Sequence, residues 1–123
     1  MTRNRKSAKS AGSRFEREIA ETLARALEDD RIERRARSGA KDRGDIAGLR
    51  LHGKRIVVEA KNCARIDLAG WMREAEVERG NDDALVGVVA HKRHGKGDPL
   101  DQWVTMTVRE FIAILRGDRI EED

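Results

Sequence analysis

A chain of 123 residues can build one hydrophobic core and not two, and its single cysteine excludes an intrachain disulfide. Charged residues make up 40% and apolar residues 38%, which predicts a folded domain with a small core under a heavily charged surface. The absence of tyrosine, with only two phenylalanines and two tryptophans, argues against an aromatic platform for stacking single-stranded bases. No apolar run reaches membrane-spanning length and no signal peptide is visible, so the expectation is a cytoplasmic protein without a membrane partner.

The net charge of +3 is unevenly spread. Arg3, Arg5, Lys6, Lys9 and Arg14 place five positive charges and no acid in the first fourteen residues, leaving the remainder at −2. Residues 1–12 lack apolar periodicity and read as a flexible basic arm, either simply solvated or laid along phosphates with release of counterions. Residues 13–123 read as a single domain. Phe15, Ile19, Leu23 and Leu27 recur every fourth residue and predict a helix over 13–28, with Ser13 and Glu16 as a capping box at its start. Residues 32–37 suggest a short basic strand, followed by a loop of small and charged residues to Gly44.

A hairpin is expected next, with strands over 45–51 and 55–61 turning at His52-Gly53-Lys54. Asp67 can cap a second helix whose apolar stripe is Leu68, Trp71, Met72 and Ala75, ending at residues 80–83. The apolar run 84–90 predicts a central strand buried on both faces. A basic, glycine-containing loop at 91–97 leads to a strand over 102–108. Thr107 and Glu110 then offer a capping box for a last helix through Leu115. This order predicts an α/β fold of three layers around a mixed sheet of about five strands.

Chemistry concentrates around the second hairpin strand. Side chains alternate along a strand, so Glu59 and Lys61 share one face and Ala60 takes the other. A carboxylate and an ammonium at the end of a buried strand are costly unless they serve a site. With a two-residue turn at His52-Gly53, Asp45 would face Ala60. A three-residue loop, or a bulge near Asp45, would put it on the face of Glu59 and Lys61, and one of these is expected. Asp42 competes with Asp45 for the same role, and Glu59 with Lys61 also reads as an exposed charge pair. Glu16 is fully explained by the capping box. His91, His94 and the distant Cys63 are too few for zinc, and Trp71 and Met72 read as core or dimer-interface residues.

Four ordered segments sharpen this reading: Gly12-Ser13-Arg14-Phe15-Glu16-Arg17, Arg37-Ser38-Gly39, Gly44-Asp45-Ile46-Ala47 and Val58-Glu59-Ala60-Lys61. Together they resemble the PD-(D/E)xK nucleases, and within them the archaeal-type Holliday junction resolvases and their phage relatives. The resemblance covers the first half of the chain, while the second half agrees only in its pattern of elements. It implies a restriction-endonuclease-like fold and a metal-dependent endonuclease that makes paired nicks in four-way DNA junctions, acting as a homodimer. Asp45, Glu59 and the backbone carbonyl of Ala60 would hold Mg2+ or Mn2+. Lys61 would orient the attacking water or stabilise the reacting phosphate, and Glu16 would assist. Three carboxylates and one ammonium leave −2, which one divalent cation neutralises.

No nucleotide cofactor is implied. Ser38 and Gly39 match a loop that lies near DNA in that family, though an ordinary turn explains them as well. Arg34, Arg35, Arg37, Lys41 and Arg43 read as phosphate contacts, and Lys92, Arg93 and Lys96 as a second contact or a solvated loop tip. Proline often precedes the metal-binding aspartate in these nucleases, where this chain has Gly44. Alternatives are a flap, mismatch or restriction-type nuclease of the same superfamily, or a DNA-binding module without catalysis. The arginine- and alanine-rich composition suggests a GC-rich bacterial or phage genome.

Overall fold

The computed structural model describes residues 4–35 and 42–120. Arg3, Arg37, Ser38, Gly39 and Lys41 lie outside the described residues. The first helix, α1, spans Arg5–Ala26 and so begins eight residues before the expected start at Ser13. Asn4 is the cap, its side chain accepting a hydrogen bond from the Ser7 amide at 2.8 Å. Helix-forming Arg, Lys and Ala residues carry the helix on, and Ala11 extends the buried row formed with Phe15 and Ile19. The described part of the expected flexible arm, from Arg5 onward, is therefore helical, and the capping box at Ser13 does not form. The helix stops at Ala26, which leaves Leu27 outside the stripe and exposed.

Strand β1 (Glu33–Arg34) pairs antiparallel with β2 (Ile46–Ala47). A second sheet of four strands has the order β3-β4-β5-β6, comprising Arg50–Leu51, Lys54–Lys61, Val86–His91 and Trp103–Thr105. The central pair β4–β5 is parallel, in a register that sets Glu59 beside Val89 and Lys61 beside His91. β3 and β6 run antiparallel to their neighbours. Helix α2 (Leu68–Asp82) connects the parallel pair, with Asp67 capping it as expected, and α3 (Val108–Arg116) follows β6.

The sheet alternates as strands must. Val58, Ala60, Val86, Val88 and Ala90 face Phe15, Ile19 and Ala20 of α1 and Ala113 of α3. Val89, on the opposite face, packs with Trp71 and Ala75 of α2. Gly87 permits α2 to lie this close, since a Cβ there would sit 2.7 Å from the Ala75 carbonyl oxygen. Val57, Val86 and Val89 are almost fully buried, each worth roughly 1.5–3 kcal/mol relative to exposure. The chain is thus α/β, with a mixed four-stranded sheet, an added antiparallel pair and helices on both faces. Among the described residues no helix is long and apolar enough to cross a membrane.

Of the two expected forms, a three-residue loop or a bulge near Asp45, the hairpin takes the second. Leu51 pairs with Lys54, so the turn is the two residues His52-Gly53, with φ of 49° and 80°, both positive as a tight hairpin requires. The register is broken instead at Gly48. Ile56 donates to the Leu49 carbonyl, yet Asp45, four residues before Leu49, donates to Val58, only two residues beyond Ile56. Two residues are looped out between these bonds, and there the chain leaves β4 to pair with β1. Gly48 has φ 86°, and a Cβ would lie 2.2 Å from the Arg31 carbonyl oxygen, so only glycine fits.

Candidate metal centre

Glu59 and Lys61 project from β4 toward α2, the face occupied by Val57 and, from β5, by Val89. Asp45 reaches this end of β4 from the adjoining segment. Its amide donates to Val58 O at 2.9 Å, and its Oδ2 accepts from the Ala60 amide at 2.8 Å. Lys61 O accepts from Lys92 of the loop after β5, so odd-numbered residues of β4 bond toward β5. The alternation turns the Ala60 carbonyl the other way, to the edge where Asp45 sits.

Gly44 delivers Asp45 to that edge. It has φ 93°, and a Cβ would meet Val57 Cγ1 at 2.9 Å and Val58 O at 3.1 Å. Proline, fixed near φ −65°, cannot occupy this conformation, so glycine is required by this backbone.

Asp45 and Glu59 are buried, at 8% and 5% exposure, and α2 adds Glu78 at 3%. Their carboxyls lie within hydrogen-bonding reach in a chain, Asp45 to Glu59 and Glu59 to Glu78. Burial is the main reason their acidities fall, reinforced by the crowding of like charge. Asp45 is pushed up to about 8 by burial and Glu59. Glu59 also rises to about 8, through burial and Glu78, although its bond with Asp45 opposes the shift. Glu78 rises to about 7.

Asp42 borders the cluster from the solvent side. Its Oδ1 accepts from the Gly44 amide at 2.9 Å, and its carbonyl accepts from Asn81 of α2 at 2.8 Å. Oxygens of Asp42, Glu59 and Glu78 lie within 4.8 Å of one another. An all-oxygen set of crowded carboxylates fits a hard divalent cation such as Mg2+ or Mn2+.

Lys61 is paired with Glu74 of α2 at 2.8 Å, and its side chain is 21% exposed. Burial works against its charge, but Glu74 and Glu59 outweigh that and hold its pKa above the ordinary value. Beyond it, His91 is buried against Trp71, with ring centroids 5.4 Å apart, and its Nε2 bonds to Thr105 Oγ1 at 2.7 Å. Burial lowers its pKa, favouring the neutral ring. Trp71 is thereby a core residue.

Glu16 stands elsewhere in the network. It neither closes a capping box nor belongs to the three-residue group, and its carboxylate is bound by Arg34 at 2.9 Å. That pair ties α1 to β1, whose neighbour Arg35 donates its amide to the Asp45 carbonyl at 2.7 Å. Arg35, Arg43 and Arg50 line a cleft with Asn81, and Arg35 Nε is buried without a hydrogen-bond partner. Arg5, Lys6, Lys9 and Arg14 are exposed along α1. Lys92 donates to the Lys96 carbonyl, and Arg93 lies over the Trp103 ring at 4.6 Å.

Sequence reasoning missed Glu78 and Glu74. A signal existed: Glu78 continues the row Trp71, Ala75 at helical spacing, so the face that buries those two must also bury a carboxylate. Compared with protein-family models, with curated proteins and with solved structures, the chain shows no significant match to any.

Proposed function

We propose that the chain is a metal-dependent, structure-selective DNA endonuclease of the PD-(D/E)xK type, cutting four-way junctions as a homodimer. The observation that carries this reading is the burial of Asp45 and Glu59 together at the end of β4, with Lys61 two residues on along the same face. The mixed sheet, with its β3–β4 hairpin and parallel β5, is compatible with a restriction-endonuclease-like fold.

Asp45 and Glu59 would hold the cation, with the Ala60 carbonyl on the edge where Asp45 sits. A bound divalent ion supplies Lewis-acid polarisation of a phosphoryl oxygen and a water of lowered pKa. Lys61 has three donors, so it can keep Glu74 while offering an N–H to the attacked phosphate, where negative charge builds as the phosphodiester is hydrolysed. Glu74 keeps that ammonium charged and aimed along the face. The cleft of Arg35, Arg43 and Arg50 beside the Asp42 loop, with the cationic start of α1, supplies phosphate contacts that set register without reading bases.

Paired nicks in opposing strands need two sites, and a two-fold homodimer provides them. The test is cleavage of labelled four-way junction, flap and linear duplex side by side in Mg2+. Symmetric nicks confined to the junction establish the resolvase assignment. Cutting of flap or duplex keeps the chemistry and replaces the substrate, and tight binding without any cutting leaves a non-catalytic module.

A further inference from the structure

We propose that Glu78, carried by α2, is a direct ligand of the divalent cation, with Asp42 completing a set that shares Glu59 with the strand. The inference rests on the metal-dependent reading above and adds two ligands that the sequence resemblance does not supply. Three observations carry it.

The oxygens of Asp42, Glu59 and Glu78 lie within 4.8 Å of one another. Ligands around one Mg2+ at about 2.1 Å are separated by up to about 4.2 Å, so a small contraction brings all three onto one ion.

Glu78 is only 3% exposed, and its Oε2 is buried with no donor from the protein against it, the carboxyl within reach of Glu78 being that of Glu59, another acid. A carboxylate oxygen in that condition is costly unless something takes up its charge. Among the described residues three cations of β4 and α2 are paired with other groups: Lys61 with Glu74, Arg79 with Glu76 and the Ala84 carbonyl, and Arg55 with Asp82.

One helix also fixes two of the three groups. Asn81, three residues beyond Glu78 on α2, holds the Asp42 carbonyl at 2.8 Å, while the Gly44 amide orients the Asp42 side chain. The open side of the set is the Asp42 side, since Asp42 is exposed and the two glutamates are not. A divalent ion would reach the two buried glutamates from the Asp42 side.

The experiment is Mn2+ binding to the full chain, followed by electron paramagnetic resonance and calorimetry, without DNA. Wild type is compared with Glu78→Gln, Asp42→Asn and Glu76→Gln, and unfolding is followed by circular dichroism in chelator at pH 8. Glu76 is on the same helix but paired with Arg79 at the surface, so it controls for loss of charge alone. The expected result is a loss of affinity of about tenfold or more in Glu78→Gln and Asp42→Asn, with Glu76→Gln unchanged. Metal-free Glu78→Gln should melt no lower than wild type, because a merely structural carboxylate would destabilise on removal and a ligand crowded by like charge would not.

Wild-type affinity in Glu78→Gln overturns the assignment. Should that variant not fold, wild-type affinity in Asp42→Asn overturns the shared set. A wild type that binds no Mn2+ removes the metal basis of the proposed function as well. A wild type that binds Mn2+ through Glu78 but cuts no DNA sinks the nuclease reading alone.

Discussion

Glu59 on β4 and Glu78 on α2 meet carboxyl to carboxyl across the interface between sheet and helix, both almost wholly buried. Neither has an ion pair of its own among the described residues, while Lys61, beside them on the same face, is held by Glu74. A protein with nothing to bind at this point would more economically place apolar side chains there, as Ala75 and Trp71 do one and two turns earlier.

The first consequence concerns pH. Asp45, Glu59 and Glu78 have folded pKa values raised to about 8, about 8 and about 7, against roughly 4 in the unfolded chain. The folded state therefore binds more protons at these three sites, so their contribution to stability is full below about pH 4 and is lost as pH rises through the folded values. His91 works the opposite way, but its lowered pKa confines its effect to about pH 6.5 and below. Each retained proton is worth about 1.4 kcal/mol per pH unit. In chelator, thermal unfolding should fall by about 10 °C or more between pH 6.5 and 8.5, and Mg2+ should restore most of the loss. An unchanged melting temperature would mean that the three carboxyls are not protonated together.

Gly44 gives a second expectation. Gly44→Pro should destabilise the fold by on the order of 3 kcal/mol, because φ 93° and the approach to Val57 and Val58 admit neither the ring nor a Cβ. Urea unfolding reads this directly. A variant as stable as wild type would show that the Asp45 segment is held differently.

Glu16 distinguishes a structural from a chemical role. Its pair with Arg34 is partly exposed and worth about 1 kcal/mol or less. Glu16→Gln should leave Mn2+ affinity within about twofold, whereas Glu59→Gln should weaken it by about tenfold or more. Equal losses by calorimetry would give Glu16 a part in holding the metal.

The cationic start of α1 predicts a salt effect. Replacing Arg5, Lys6 and Lys9 together by Gln should make the dependence of log affinity on log salt shallower by up to about three, at about 0.9 per phosphate contact. Cleavage at saturating protein should persist. An unaltered slope in filter binding would assign these side chains to solvent.

Local chemistry was legible in the sequence, and tertiary chemistry was not. β4, β5 and the caps Asp67 and Thr107 were readable because strand alternation and capping are decided within a few residues. Even so, Glu110 caps less than expected: Thr107 accepts from its amide, but its own carboxylate goes to the Gly87 amide and Arg119. The start of α1 was misplaced because Ser13 and Glu16 form a plausible box, while the true cap, Asn4, precedes a stretch with little apolar periodicity. The path of Asp45 depends on Gly48 pressing against Arg31, a contact between distant segments that no spacing rule encodes. Glu78 becomes part of a site only once α2 is laid on β4.

The most direct measurement is single-turnover cleavage of a four-way junction in Mg2+ by wild type and Lys61→Ala, with junction and Mn2+ binding measured on the same preparations. The account predicts symmetric nicking by wild type, and binding retained in Lys61→Ala with cleavage slowed by about a hundredfold or more. Wild-type cleavage by Lys61→Ala, or no Mg2+-dependent cleavage of any DNA by wild type, would contradict it.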